Sequence, residues 1–79
     1  MTTVAPNNTL IIKPNTAPEQ DLKVANTKNS AGKFSLKCND LDPIDYTIDA
    51  YAERNFVIPI GTTIFKNTGN VDLEVTTGA

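Results

Sequence analysis

Ile44-Asp45-Tyr46-Thr47-Ile48 is the stretch that decides the fold. Ile44, Tyr46 and Ile48, continued by Ala50, fall at every second position, while Asp45, Thr47 and Asp49 occupy the alternate ones. A period of two belongs to a strand with one face on a core and the other in water. Toward the N-terminus, Phe34, Leu36 and Cys38 repeat it. Toward the C-terminus, Phe56, Ile58 and Ile60 follow, broken by Pro59 and Gly61, and Val71, Leu73 and Val75 alternate with Asp72, Glu74 and Thr76. Four such runs predict an all-β chain with antiparallel pairing.

The segments between the runs carry turn chemistry. Asn39-Asp40 and Asp42-Pro43 separate the first two runs, and Asn67-Thr68-Gly69-Asn70 separates the last two. The second of these reads as a hairpin turn between arms at 62–66 and 71–76, with Gly69 taking the positive φ of a tight turn. Residues 50–55, Ala-Tyr-Ala-Glu-Arg-Asn, are too few for a helix of their own and predict a loop or a single turn.

The first 32 residues read differently. Pro6, Pro14 and Pro18 interrupt them, and only Leu10-Ile11-Ile12 and Leu22-Lys23-Val24 suit short strands. Prolines confine such strands to sheet edges. Two readings stand: edge strands of the same sandwich, or an extended Pro-rich arm over 1–32 that orders on a neighbouring subunit. The expected organisation is that arm with its short edge strands, followed by a compact antiparallel β domain over 33–79, a small sandwich or barrel-like module. Val4, Leu10, Ile11 and Ile12 are the expected partner-binding residues, docking by backbone pairing at a sheet edge.

Composition narrows the function classes. A chain of 79 residues forms one domain and buries only about 60–65% of the surface its unfolded form exposes. A single cysteine excludes an internal disulfide, and with no histidine neither a zinc finger nor a conventional transition-metal site can be assembled. Oligomerisation, or docking on a larger body, is the remaining source of stability. Seven basic and nine acidic residues, without a basic cluster, argue against nucleic acid. No run of about 18 apolar residues and no secretion signal is visible, which predicts a protein made in a cytoplasm and not embedded in a membrane. Eleven threonines and nine asparagines resemble the polar, turn-rich surfaces of extracellular and virion β proteins.

Catalytic chemistry finds little support. Without histidine, Cys38, Ser30 and Ser35 lack the base a nucleophile needs, and Cys38, in phase with Phe34 and Leu36, reads as a buried inert thiol. Asp49 with Glu53 could do acid and base work only inside a cleft. Asp40, Asp42, Asp45 and Asp49 suggest a calcium loop, but Pro43 and Ile44 stand where that motif needs a ligand and a glycine. No enzyme, cofactor or metal is expected.

Three stretches carry a resemblance: Lys33-Phe34-Ser35-Leu36-Lys37-Cys38-Asn39-Asp40, Phe56-Val57-Ile58-Pro59-Ile60-Gly61-Thr62-Thr63-Ile64, and Asn67-Thr68-Gly69-Asn70-Val71-Asp72-Leu73-Glu74-Val75. In this order they resemble a β module of tailed-phage fibre, head-fibre and decoration proteins, over residues 30–79. The module commonly has a further apolar strand where this chain has the short, charged stretch 50–55. The resemblance implies a structural virion component, often trimeric. In a chain this short it implies a decoration or cement protein that binds the phage major capsid protein or neighbouring virion subunits. Two other classes stay open: a carbohydrate- or receptor-binding module of a phage fibre, with Tyr51 stacking on sugar, and a small phage inhibitor of a host protein.

Overall fold

The computed structural model describes residues 2–15 and 20–78, and these contain eight strands and no helix. They are β1 (Thr2–Val4), β2 (Thr9–Asn15), β3 (Gln20–Ala25), β4 (Gly32–Cys38), β5 (Ile44–Ile48), β6 (Glu53–Ile58), β7 (Gly61–Asn67) and β8 (Leu73–Gly78). One sheet, A, has the order β1-β8-β3-β6, and the other, B, has the order β2-β7-β4-β5. Every neighbouring pair is antiparallel.

The order has a simple logic. The first strand pairs with the last, β2 with β7, β3 with β6 and β4 with β5. That is one long hairpin folded at the β4–β5 link and rolled up, and the β3–β8 and β4–β7 pairings close the roll. Eight antiparallel strands wound in this way form a jelly roll.

The period-two residues supply the core between the sheets. Phe34 and Leu36 of β4, Ile48 of β5, Ile58 of β6, Phe65 of β7, and Leu73 and Val75 of β8 are buried. Leu22 and Val24 of β3 join them, with no exposed area at all. Phe34 anchors an aromatic group, its ring centroid 5.2 Å from Phe65, 5.5 Å from Tyr46 and 5.9 Å from Phe56. Such stacked and edge-on pairs add roughly 0.5–1.5 kcal/mol each beyond their area burial.

Several expectations are corrected here. The extended arm over 1–32 and the boundary at residue 32 do not describe the molecule. β1 and β2 are edge strands, as the prolines require, but β3 lies inside sheet A between β8 and β6. Pro18 falls outside the described residues, and β3 itself holds no proline, so every backbone donor it needs is present. The hairpin expected at 67–70 is likewise absent, because β7 and β8 belong to different sheets. Gly69 has no positive φ. A Cβ there would stand 2.6 Å from the Lys33 backbone nitrogen, so glycine serves a close approach of two chains. The hairpin is instead the acidic turn between β4 and β5. The loop or single turn expected over 50–55 is confined to 50–52, because Glu53, Arg54 and Asn55 belong to β6 and pair with Ala25, Val24 and Lys23 of β3.

The two halves of the chain repeat. Advancing each strand number by four, and counting on from β8 to β1, carries sheet A onto sheet B. Two fully buried asparagines mark the repeat. Asn26 accepts a hydrogen bond from the Lys28 N–H and donates to the Ser30 and Asp49 carbonyls. Asn67 accepts from the Gly69 N–H and donates to the Val71 and Val4 carbonyls. Each reads the residues two and four positions on, plus a carbonyl at or just after the end of an edge strand of the other sheet. The sequences agree as Asn-Thr-x-Asn at 26–29 and 67–70, a repeat visible in the chain that the strand periodicity does not draw attention to. The short turns they meet also correspond: Asn7 and Tyr51 both have left-handed φ, at 67° and 56°, and Asn8 and Ala52 donate to the carbonyls three residues back.

Candidate functional site

The four residues expected to bind a partner do not share one exposed surface. Val4 and Ile12 are 3% and 7% exposed and belong to the core, Leu10 packs partly buried against it, and only Ile11, at 61%, faces solvent. The alternation of β2 explains the split, since Leu10 and Ile12 share the inner face and Ile11 takes the outer one. They are placed as an edge of the sandwich and not as a docking arm.

A wider open apolar surface lies at the opposite flank, where β5 ends sheet B and β6 ends sheet A. Ile44 is in phase with Tyr46 and buried Ile48, yet it is 58% exposed. Across from it, Phe56 and Ile58 point inward from β6. Between the two edges opens a cleft of about 110 Å³ with Leu36, Cys38, Tyr46, Phe56 and Ile58 inside and Leu41, Asp42, Ile44 and Val57 at its mouth.

A knot of hydrogen bonds holds the turn that carries Leu41. Asn39, in the left-handed region at φ 54°, donates its side-chain amide to the Ile60 carbonyl and accepts the Thr62 N–H, while its own N–H reaches the Thr62 carbonyl. The Leu41 N–H donates to the Cys38 carbonyl. Gly61, at φ 118°, makes the knot possible, because a Cβ would fall 1.9 Å from Asn39 Oδ1. Leu41 is thereby held 67% exposed beside the cleft. An apolar residue inside an otherwise acidic turn, Asn39-Asp40-Leu41-Asp42, was the signal in the sequence for this site.

At its other end the same flank is shut. The Arg54 guanidinium lies over the rings of Tyr46 and Phe56, at 5.2 and 5.5 Å, and donates to the Thr47 carbonyl at 3.0 Å. It therefore joins β6 to β5 across the gap.

The candidate chemical groups are dispersed. Cys38 is half-buried, not fully buried as expected, with Sγ 3.9 Å from the Thr63 hydroxyl at the inner end of the cleft. Glu53 forms a surface ion pair with Lys23 at 2.5 Å, so it is not matched with Asp49. Asp40, Asp42, Asp45 and Asp49 are all exposed, and among the described residues no three acidic or cysteine side chains gather as a metal would need. No family model matches this chain, and no match was found among curated proteins or solved structures. The site is a shallow apolar cleft under an acidic turn, flanked by two strand edges that, among the described residues, pair on one side only.

Proposed function

We propose that this protein is a non-catalytic structural component of a virus particle, a decoration or cement module that binds the phage head. The observation that carries the proposal is the open flank. Leu41, Ile44, Val57 and Ile60 are 57–67% exposed, and together they leave on the order of 400 Å² of apolar surface in water, about as much as the largest patch on an ordinary monomer. Such a patch beside unpaired strand edges suits attachment to another protein. The jelly roll adds fold-level analogy, since viral capsid domains use it. The resemblance of residues 30–79 to phage decoration modules points the same way.

The test is quantification of this protein in density-purified particles, together with the native mass of the isolated chain. A fixed stoichiometry to the major capsid protein is expected, with a trimer or a capsid-bound form as the assembled state. A chain absent from purified particles would end this reading.

One observation favours a second reading, carbohydrate binding. An open hollow of about 460 Å³ lies against Lys33, Asp45, Tyr46, Thr47 and Thr68, within the size range of small-ligand sites, and elsewhere Tyr51 stands 70% exposed. Glycan-array binding that is lost in Asp45→Ala or Tyr51→Ala would support it, and a blank array would remove it.

A further inference from the structure

We infer that the cleft between β5 and β6 receives an extended segment of a different protein, with one aliphatic side chain in the cleft and a lysine or arginine beside it. This rests on the attachment reading above and names the site and the chemistry of the partner.

Size argues first. Small-molecule sites run to about 300–1,000 Å³. A cleft of about 110 Å³ is too small for such a ligand and suits a single aliphatic side chain. The shape of the surroundings argues next. Among the described residues β5 pairs only with β4, and β6 only with β3, so both edges of the cleft offer backbone groups to an added strand. An extended segment can pair with one edge and drop alternate side chains inward, where Ile44 and Phe56 already face.

Charge selects the partner. Asp42 stands at the mouth and Asp40 precedes it in the turn, both of them exposed. A second copy of this chain placed on the same flank by two-fold symmetry would bring two such sets together, and like charges across an interface oppose association. A basic neighbour is drawn in by the same groups. The available apolar area, on the order of 400 Å², is about half of what each partner contributes to a standard interface, which fits a docked segment better than a globular face.

The experiment uses the whole protein and three synthetic ten-residue probes: alternating valine and threonine around a central leucine with lysine flanks, the same with glutamate flanks, and the lysine peptide with N-methylated backbone on alternate residues. Amide chemical-shift changes are expected only at residues 36–46 and 54–60 with the lysine probe, and at least tenfold weaker binding with the other two. Ile44→Asp, at an exposed position that leaves the fold intact, is expected to abolish the shifts, and Asp42→Lys to weaken binding at least fivefold. Equal binding of the lysine and glutamate probes, shifts centred on β1 or β2, or no shifts at millimolar peptide would each overturn the inference. So would a wild-type dimer in sedimentation that Ile44→Asp dissociates, since a second copy would then fill the cleft. Particle incorporation separates this inference from the broader reading. Peptide binding by a protein absent from particles sinks only the virion assignment, and Ile44→Asp incorporated at the wild-type level sinks only the cleft.

Discussion

The two flanks of the roll correspond through the repeat of the chain halves, yet they are finished in different ways. At one, β1 and β2 end their sheets, and Val4 and Ile12 are 3% and 7% exposed. At the other, β5 and β6 end theirs, and Ile44 is 58% exposed above half-buried Tyr46 and Phe56. The same winding of strands therefore buries Val4 and Ile12 at one flank and Ile48 and Ile58 at the other, but leaves Ile44 open beside a cleft at the second. Stability demands the burial, while the exposed Ile44 adds little to the isolated fold and marks where something else attaches.

The largest test of the correspondence falls on the two asparagines. Asn67→Ala should cost about 3–5 kcal/mol, because it strands the buried Val4 carbonyl, at roughly 1–3 kcal/mol, and the part-buried Val71 carbonyl and Gly69 N–H, at the low end of that range each. Asn26→Ala should cost about half as much. Its partners Lys28, Ser30 and Asp49 are exposed residues, where water can replace the lost amide. Urea midpoints at unchanged slope measure both losses, and equal losses would show that the two turns are energetically the same.

Next come the two edges of sheet B. Ile12→Ala removes a core side chain and should destabilise by about 2–5 kcal/mol. Ile44→Ala, on the opposite edge strand, should stay within about 0.5 kcal/mol, as surface substitutions do. A large loss at Ile44 would mean that the open flank is closed in solution by part of the molecule itself.

How far the sequence disclosed this can be judged residue by residue. The period-two runs placed Phe34, Leu36, Ile48, Leu73 and Val75 on the core side, where they are buried, because alternation is a local property and burial follows it. Partnering is not local. Asn67-Thr68-Gly69-Asn70 has the composition of a hairpin turn, but its backbone is spent on Asn67's own side chain and on Lys33, which accepts from the Thr68 N–H, so β8 is carried to the other sheet. Nothing within the window 62–76 records that. The site was missed for a related reason: Ile44 and Ile48 look alike in the pattern, yet Ile44 at the start of β5 is exposed while Ile48 at its end is buried.

A smaller contrast lies in the turns themselves, where position two after each asparagine differs. Lys28 is exposed, whereas Gly69 rests against the Lys33 backbone. Gly69→Ala should therefore cost about 1–3 kcal/mol, as overpacking does, because the atom it meets is main chain and cannot swing aside. Lys28→Ala should be near neutral in the same melts.

The smallest effects separate two charged contacts on β6. Arg54 caps Tyr46 and Phe56 and reaches the Thr47 carbonyl, so Arg54→Ala loses a cation–π contact worth roughly 0.5–1 kcal/mol, together with the hydrogen bond that joins the sheets. A fall in melting temperature of about 4–8 °C is expected from a total near 1 kcal/mol, and faster amide exchange should be confined to β5 and β6. Glu53→Gln breaks only the ion pair with Lys23, whose partners are each about half exposed. That loss should stay below about 0.5 kcal/mol and vanish at 1 M salt, where the screening length falls to about 3 Å. The Arg54 loss should survive the salt, because its worth comes from ring contact and a bond to main chain. If both losses disappeared together, Arg54 would be a surface charge like any other, and the flank would have no clasp at either end.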